Sequence, residues 1–370
     1  MTKLISKCLQ TLFLTIICLA ITPAVQAAPN ISSQYYCLLE RETGQVLWAK
    51  NQDEMRPVAS TTKIMTAIVA LEYAGLNEIA VVSDHADHTR EYTIGLREGQ
   101  TLTVAELTKV ALIRSANDAA VVLAEHIAGD ERLFAHLMSK KAFALGALNT
   151  HFENSSGLPA NNSYSTAYDM AQISRYALTN DNIAELVSTV RTTFNHPGYR
   201  QPLTITNTNG LLQGFKGADG IKTGTTNAAG RCLIASATRD NHQLIAVTLK
   251  SGNRQGDCAK LLEHGFTNFT KTKIIDDKVA FKSLKISENG TQYLDLYPAR
   301  PLLLWYDGEH PEIEKKVILN YELKLPVQKG EPIGKVIVYA NDKYVDSIDL
   351  VCDQTIKNSF WQRLLANLKE

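Results

Sequence analysis

The sequence predicts an α+β fold: a large domain with an antiparallel sheet and helices on both sides, then a small all-β domain. Three observations predict it. Short apolar runs flanking turn residues stand at both ends of the first region, at 35–39 with 45–50 and at 232–238 with 243–249. Helical spacing of apolar residues fills the stretch between them. Beyond residue 271, short strand-like runs recur at roughly ten-residue spacing, the habit of a sandwich or barrel. With 370 residues, 45% of them hydrophobic, the chain is long enough for two domains and a well-buried core. Its 38 basic residues balance 38 acidic ones, so there is no electrostatic footprint for nucleic acid.

Residues 1–27 read as an export signal. Lys3 and Lys7 supply the basic start, 9–21 an apolar stretch, and Val25-Gln26-Ala27 a small-x-small cleavage site before Ala28. The apolar stretch is short for a permanent membrane span. The first domain, 28–270, opens with a hairpin at 35–50 turning on Gly44. A helix is predicted from Ser60 to about Tyr73, a short strand at 81–82, and a helix from a Thr103–Glu106 capping box to about Ile113. Residues 114–118 interrupt it. Helices follow at 119–127, 131–145, 168–178 and 183–187, with a long polar loop at 154–165. The hairpin at 232–249 and a helix at 259–269 close the domain.

The second domain, 271–355, has strands predicted at 279–281, 292–296, 302–306, 316–325, 334–339 and 344–350. In the last segment, 356–370, Phe360, Trp361, Leu364, Leu365 and Leu368 share one helical stripe, opposite Gln362, Arg363, Asn367 and Lys369. That pattern suits an interfacial membrane helix or a terminal helix packed on the β domain.

Cys8 and Cys18 leave with the signal; Cys37, Cys232, Cys258 and Cys352 remain. None forms a Cys-x-x-Cys site, and the sequence leaves open whether Cys232 and Cys258 pair or stay free and buried. No metal site or cofactor is predicted; His85 and His88 read as part of a solvated loop.

The chemistry gathers in three short motifs. Ser60-Thr61-Thr62-Lys63 opens the apolar run 64–71. Positions three apart share a helix face, which sets the Ser60 hydroxyl beside the Lys63 amine. A lysine heading a helix that is apolar on nearly every side is desolvated, which disfavours its charged form and fits it to act as a base. Serine needs such a neighbour, being a poor nucleophile until its proton is taken. Alone, the motif reads more readily as a Ser-Thr-Thr cap with a solvated lysine. Ser115-Ala116-Asn117 sits on the break between two helices, offering a hydroxyl to relay a proton and an amide to bind a peptide group. Lys222-Thr223-Gly224, at the start of a predicted strand, offers positive charge, a hydroxyl, and room for a substrate along the strand edge.

In this order the motifs resemble those of β-lactamases and penicillin-binding proteins. The chain is most similar in pattern to the low-molecular-weight penicillin-binding proteins, the D-alanyl-D-alanine carboxypeptidases of peptidase family S11. Ala59-Ser60-Thr61-Thr62-Lys63-Ile64-Met65-Thr66 resembles that family's nucleophile signature, and Asn154-Ser155-Ser156-Gly157-Leu158 with 165–170 its loop and following helix. Residues 220–226 with Ala229-Gly230 resemble its third motif. The β domain and amphipathic tail match the family's architecture.

The resemblance implies a serine transpeptidase-like domain in which Ser60 attacks the bond between two D-alanines and forms an acyl-enzyme. Lys63, kept neutral by burial and by the charge of Lys222, would be the base. Ser115 would shuttle the proton and Asn117 hold Lys63 or the substrate amide. The backbone N–H groups of Ser60 and Thr225 would form the oxyanion hole, with Lys222, Thr223, Gly224 and Arg254 at the substrate's terminal carboxylate. Thr225 stands where many relatives carry histidine or tyrosine, a departure that bears on specificity.

The implied partners are a peptidoglycan stem pentapeptide, β-lactams as covalent inhibitors, and a membrane surface under the tail. The implied location is the outer face of the bacterial cytoplasmic membrane. Rival readings are a DD-endopeptidase, a class A β-lactamase, for which the chain lacks a Glu-x-x-Leu-Asn loop, and a non-catalytic wall-binding module.

Overall fold

The computed structural model describes residues 29–285, 293–320 and 326–355. Strands β1 (Tyr35–Glu40) and β2 (Val46–Lys50) open it, and a 3-10 turn, Ala59–Thr62, leads into helix α1 (Lys63–Tyr73). A helical cluster follows: β3 (Ile79–Val81), α2 (Asp84–Asp87), β4 (Thr101–Thr103), α3 (Val104–Ile113), α4 (Asn117–Ala128) and α5 (Glu131–Ala144). Next come α6 (Ala167–Ala177), α7 (Asp181–Ser188), the hairpin β5 (Arg191–Phe194) and β6 (Leu203–Thr206), and α8 (Leu211–Gly214). Strands β7 (Ala218–Thr226), β8 (Gly230–Arg239) and β9 (His242–Leu249) then lead to α9 (Arg254–Asn268).

The central sheet runs β2-β1-β9-β8-β7 and is antiparallel throughout, so the start of the chain pairs with its end through β1 and β9. Alternation along β1 explains why both of its faces are apolar. Cys37 and Leu39 face α1 and α6 together with Ile245 and Val247, while Tyr36 and Leu38 face Leu261 and Leu262 of α9. Strands covered on both faces read as continuous apolar runs rather than as strict alternation.

Helix α1 is buried at every position from Lys63 to Ala70 because it passes between the sheet-side core and a second core. That second core is built from α3, α4 and the β3–β4 pair. The Ser-Thr-Thr run does not cap α1: Ser60 stands on the 3-10 turn, Thr61 Oγ1 donates to the Val58 carbonyl, and Thr62 caps nothing. The capping reading of the motif therefore fails. Helix α3 does start as expected, with the Thr103 hydroxyl accepting from the Glu106 N–H at 3.1 Å.

Strand β10 (Phe269–Ile275) continues from α9, followed by β11 (Lys282–Lys285), β12 (Tyr293–Pro298), β13 (Leu302–Asp307), β14 (Ile313–Leu319), β15 (Pro332–Ala340) and β16 (Lys343–Cys352). They form a β10–β13 pair and a five-stranded sheet, β11-β12-β16-β15-β14, around Leu296, Val336, Ile348 and Leu350. This sheet pair is fastened behind the central sheet. The Gln45 amide donates to the Trp305 carbonyl at 2.7 Å and accepts from its N–H at 3.0 Å, and Trp305 joins the core under α9.

Several sequence expectations shift. The strand placed at 279–281 lies at 282–285, and that at 316–325 begins three residues earlier and ends at Leu319. The β5–β6 hairpin and β10 were not anticipated. The export signal and the 356–370 helix lie outside the described residues. Among the described residues no helix is long and apolar enough to cross a membrane.

All four described cysteines are free and buried. Cys232 points into the core on the α1 side of the sheet and Cys258 into the core under α9, so the sheet itself separates the two thiols. Burial pushes them up to about 11 and about 12, which leaves them as inert apolar side chains.

Candidate active site

The site lies where the edge strand β7 meets the turn before α1. Lys63 is wholly buried, yet its amine has three neighbours. Nζ donates to Asn117 Oδ1 at 2.5 Å and to the Ser156 carbonyl at 2.6 Å, and lies 3.1 Å from Ser60 Oγ. The first two are pure acceptors and the third is a hydroxyl. A neutral amine has two N–H bonds and one lone pair; in that form it would spend both N–H bonds on the two acceptors and turn its lone pair to the serine proton. Burial holds the Lys63 amine well below the usual lysine range, and the charge of Lys222 adds to the shift.

Two glycines bring the elements together. At Gly157 (φ +78°) a Cβ would stand 2.0 Å from the Ala59 carbonyl oxygen and 2.9 Å from Thr62 Oγ1. At Gly224 it would stand 2.9 Å from the Val58 oxygen and 3.0 Å from the Ser60 nitrogen. Only glycine lets the 154–158 loop and β7 close on the nucleophile turn from two sides. This corrects the expectation for Gly224: the room it leaves is taken by the backbone of Val58 and Ser60. The turn is itself held in a costly conformation, since Ala59 has φ +50°.

Ser115 takes a left-handed conformation as well, φ +70°, at the break between α3 and α4. Its hydroxyl forms no hydrogen bond to a described residue, and the residue as a whole is 7% exposed. Asn117 is fully engaged. Beside its bond to Lys63, Nδ2 donates to the Glu91 carbonyl at 3.0 Å and the backbone N–H donates to the Tyr92 carbonyl at 3.0 Å.

Lys222, Thr223 and Gly224 lie in the middle of β7, not at its start. Lys222 is 1% exposed, and burial together with the Arg254 charge lowers its amine to about 7. The Thr223 hydroxyl shares a 2.6 Å hydrogen bond with that of Thr208. Arg254 begins α9 and reaches over the strand, donating to the Gly224 carbonyl at 3.0 Å and to Thr225 Oγ1 at 2.8 Å. The structure thus brings together Ser60, Lys63 and Asn117 by direct contact, and Gly224, Thr225 and Arg254 by direct contact. Lys222 reaches Lys63 through its charge.

Sequence reasoning assigned no role to Ser156, whose carbonyl fixes the amine, or to Glu131, which holds the same loop by accepting from the Ser155 N–H at 2.9 Å and hydroxyl at 2.6 Å. It also missed Asp118, whose carboxylate accepts from the N–H groups of Gly95 and Leu96 at 3.0 and 3.2 Å. Backbone carbonyls leave no mark in a sequence, but the polar run 154–158 was the available signal. No group of three or more His, Cys, Asp or Glu among the described residues is placed to hold a metal ion.

A buried lysine set against a serine, with cationic groups along a neighbouring strand edge, defines a serine acyl-transfer hydrolase of the penicillin-binding type. The chain belongs to the D-alanyl-D-alanine carboxypeptidase family, peptidase S11: residues 22–253 match it, and residues 269–358 match the C-terminal domain of penicillin-binding protein 5. It is 30% identical over 332 residues to the D-alanyl-D-alanine carboxypeptidase DacF of Bacillus subtilis, covering 87% of this chain and 85% of that one. It is 31% identical over 355 residues to DacD of Escherichia coli, covering 91% and 90%. Among solved structures, penicillin-binding protein 5 from Haemophilus influenzae superimposes with a TM-score of 0.77 at 28% identity, over 90% of this chain and all of that one.

Proposed function

We propose that the site removes the terminal D-alanine from peptidoglycan stem pentapeptides through an acyl-enzyme on Ser60, and that β-lactams acylate the same oxygen. The observation that carries this reading is the partner set of Lys63: its buried amine sits against two pure acceptors, Asn117 Oδ1 and the Ser156 carbonyl, and 3.1 Å from Ser60 Oγ, so that a neutral amine would keep its lone pair for the serine proton.

Lys63 Nζ takes the hydroxyl proton as Oγ bonds to the carbonyl carbon. The backbone N–H groups of Ser60 and Thr225 receive the developing oxyanion. Ser115 then passes the proton to the departing D-alanine nitrogen as the C–N bond breaks, and water attacks the ester with Lys63 again as base. Lys222, Thr223 and Arg254 bind the carboxylate of the leaving D-alanine. A DD-endopeptidase would use the same residues on cross-linked peptides.

The wider reading is of a chain exported by its first 27 residues, with a catalytic domain at 28–270 and a β domain at 271–355. Residues 356–370 would lie on the outer face of the cytoplasmic membrane. The apolar stripe of Phe360, Trp361, Leu364, Leu365 and Leu368 supports that last point.

The test is D-alanine release from a defined pentapeptide and mass detection of a penicillin adduct. Release that penicillin blocks, with the adduct on Ser60 and neither in Ser60→Ala, is expected. Acylation of the Ser60→Ala protein would overturn the nucleophile, and acylation without release from any pentapeptide would favour the endopeptidase. Truncation after Thr355 should abolish membrane pelleting; persistent pelleting would place the anchor elsewhere.

A further inference from the structure

Next to the Lys63–Asn117 pair lies a cleft of about 350 Å³. His85, His88 and Arg90 line it on one side, and Glu131, Asn154, Ser156 and Leu158 complete it. Both sets are tied to the catalytic pair. The Ser156 carbonyl accepts from Lys63, and Asn117 Nδ2 donates to the carbonyls of Arg90 and Glu91 at 3.4 and 3.0 Å. Glu91 and Tyr92 both take positive φ, +57° and +41°, a backbone kept only where its surroundings impose it. With its carbonyls spent on Asn117, the segment has only side chains to offer the cleft.

The charges on that wall are unequal. The Glu131 carboxylate is occupied, accepting from the Ser155 N–H and hydroxyl and standing 3.2 Å from His85, and His88 stands 3.1 Å from Asp84. Arg90 is exposed and forms no ion pair among the described residues. A guanidinium left unmatched in a concave site suits a carboxylate, which it can bind through two parallel N–H bonds.

Position narrows the ligand. The leaving D-alanine's carboxylate site, at Lys222 and Arg254, lies along β7 on one flank of Ser60. With the proposed carboxylate site there, the acyl half of the peptide would extend from Ser60 on the side away from Lys222, toward Leu158 and the cleft. Two hydrogen bonds, from Ser60 through Lys63 to Ser156, reach the cleft wall, a span of one or two extended residues at about 3.5 Å each.

The geometry points to a subsite for a carboxylate of the stem peptide, N-terminal to the scissile bond, with Arg90 as its counter-ion. This rests on the carboxypeptidase reading above and adds the class of stem. A third residue that is a diamino diacid with a free second carboxylate satisfies Arg90, whereas a lysine there sets an ammonium against it. The free carboxylate of a γ-linked glutamate at position two carries the same chemistry.

The experiment compares kcat/KM for D-alanine release by the full chain from four pentapeptides. They carry diaminopimelate at position three, its ε-amide, lysine at position three, and diaminopimelate with the glutamate carboxylate amidated. The free diacid should be favoured by about fivefold, the worth of a partly exposed charge pair. Arg90→Gln should level the series and Arg90→Lys keep part of the preference. A loss on amidating position three assigns the diamino acid, and a loss on amidating position two assigns the glutamate; either, if Arg90-dependent, supports the subsite. Equal rates in the wild type, or a preference that survives in Arg90→Gln, overturns it. Release from none of the four would overturn the carboxypeptidase reading instead.

Discussion

The two halves of the site are finished to different degrees. On the helical half, Lys63 and Asn117 are saturated: every polar atom of the two side chains has a partner within the protein. On the strand half, Lys222 is equally buried, but among the described residues its amine makes one hydrogen bond, a long 3.4 Å contact with the Thr223 carbonyl. In the proposed mechanism the difference follows from what each half handles. A base must be aligned before the substrate arrives, because misalignment is lost directly from the rate. Cationic groups that await an anion keep donors in reserve, since spending them beforehand would weaken the substrate's carboxylate bond.

If that contrast is right, the largest loss should come from the saturated half. Lys63→Met keeps an apolar stem but removes the lone pair, and penicillin acylation of Ser60 should slow by about 10³-fold. A rate within tenfold of wild type would move the base elsewhere.

On the reserve half, Arg254→Gln should act through the substrate's terminal carboxylate. We expect kcat/KM for D-alanine release to fall by about tenfold to a hundredfold, the worth of a charge-assisted bond. A peptide whose terminal carboxylate is amidated should lose nothing further. Equal losses on both peptides would mean that Arg254 only braces Gly224 and Thr225.

The smallest effect is on stability and has a fixed sign. Lys222 falls to about 7 when folded, against 10.5 as its reference value, so between those pH values the unfolded chain binds more protons than the folded one. Lys222 therefore makes stability rise with pH across that window and fall as pH drops through it. Lys63, shifted in the same direction, adds to the slope. The denaturant midpoint should climb from pH 7 to 10 and climb less steeply in Lys222→Met; identical slopes would contradict the burial of a neutral lysine.

The same contrast explains what the sequence discloses. Ser60, Lys63, Ser115, Asn117, Lys222 and Thr223 stood out as candidates because they are polar side chains in short motifs of fixed spacing. The central sheet was legible through its apolar runs at both ends of the domain. What escaped depends on backbone and distance. The Ser156 carbonyl and the positive φ of Ala59 are products of the folded chain, and Arg254, placed at the site by the family resemblance alone, reaches Gly224 only because α9 starts beside β7. The β5–β6 hairpin was missed because its strands are only four residues each, with half-polar sequences. Strand β10 was missed because Lys271 and Lys273 disguise an edge strand as a linker.

The clamp formed by Gly157 and Gly224 has a consequence for inheritance under antibiotic pressure. Its contacts run backbone to backbone on both sides of the turn, so drift in ordinary side chains has little purchase on where Ser60 stands. A lineage escaping β-lactams by substitution would have to work on the rim, at residues such as Arg90, Tyr92 and Thr225. There, drug and stem peptide present different shapes to the same oxygen. The nucleophile is a fixed point, and adaptation is left to its surroundings.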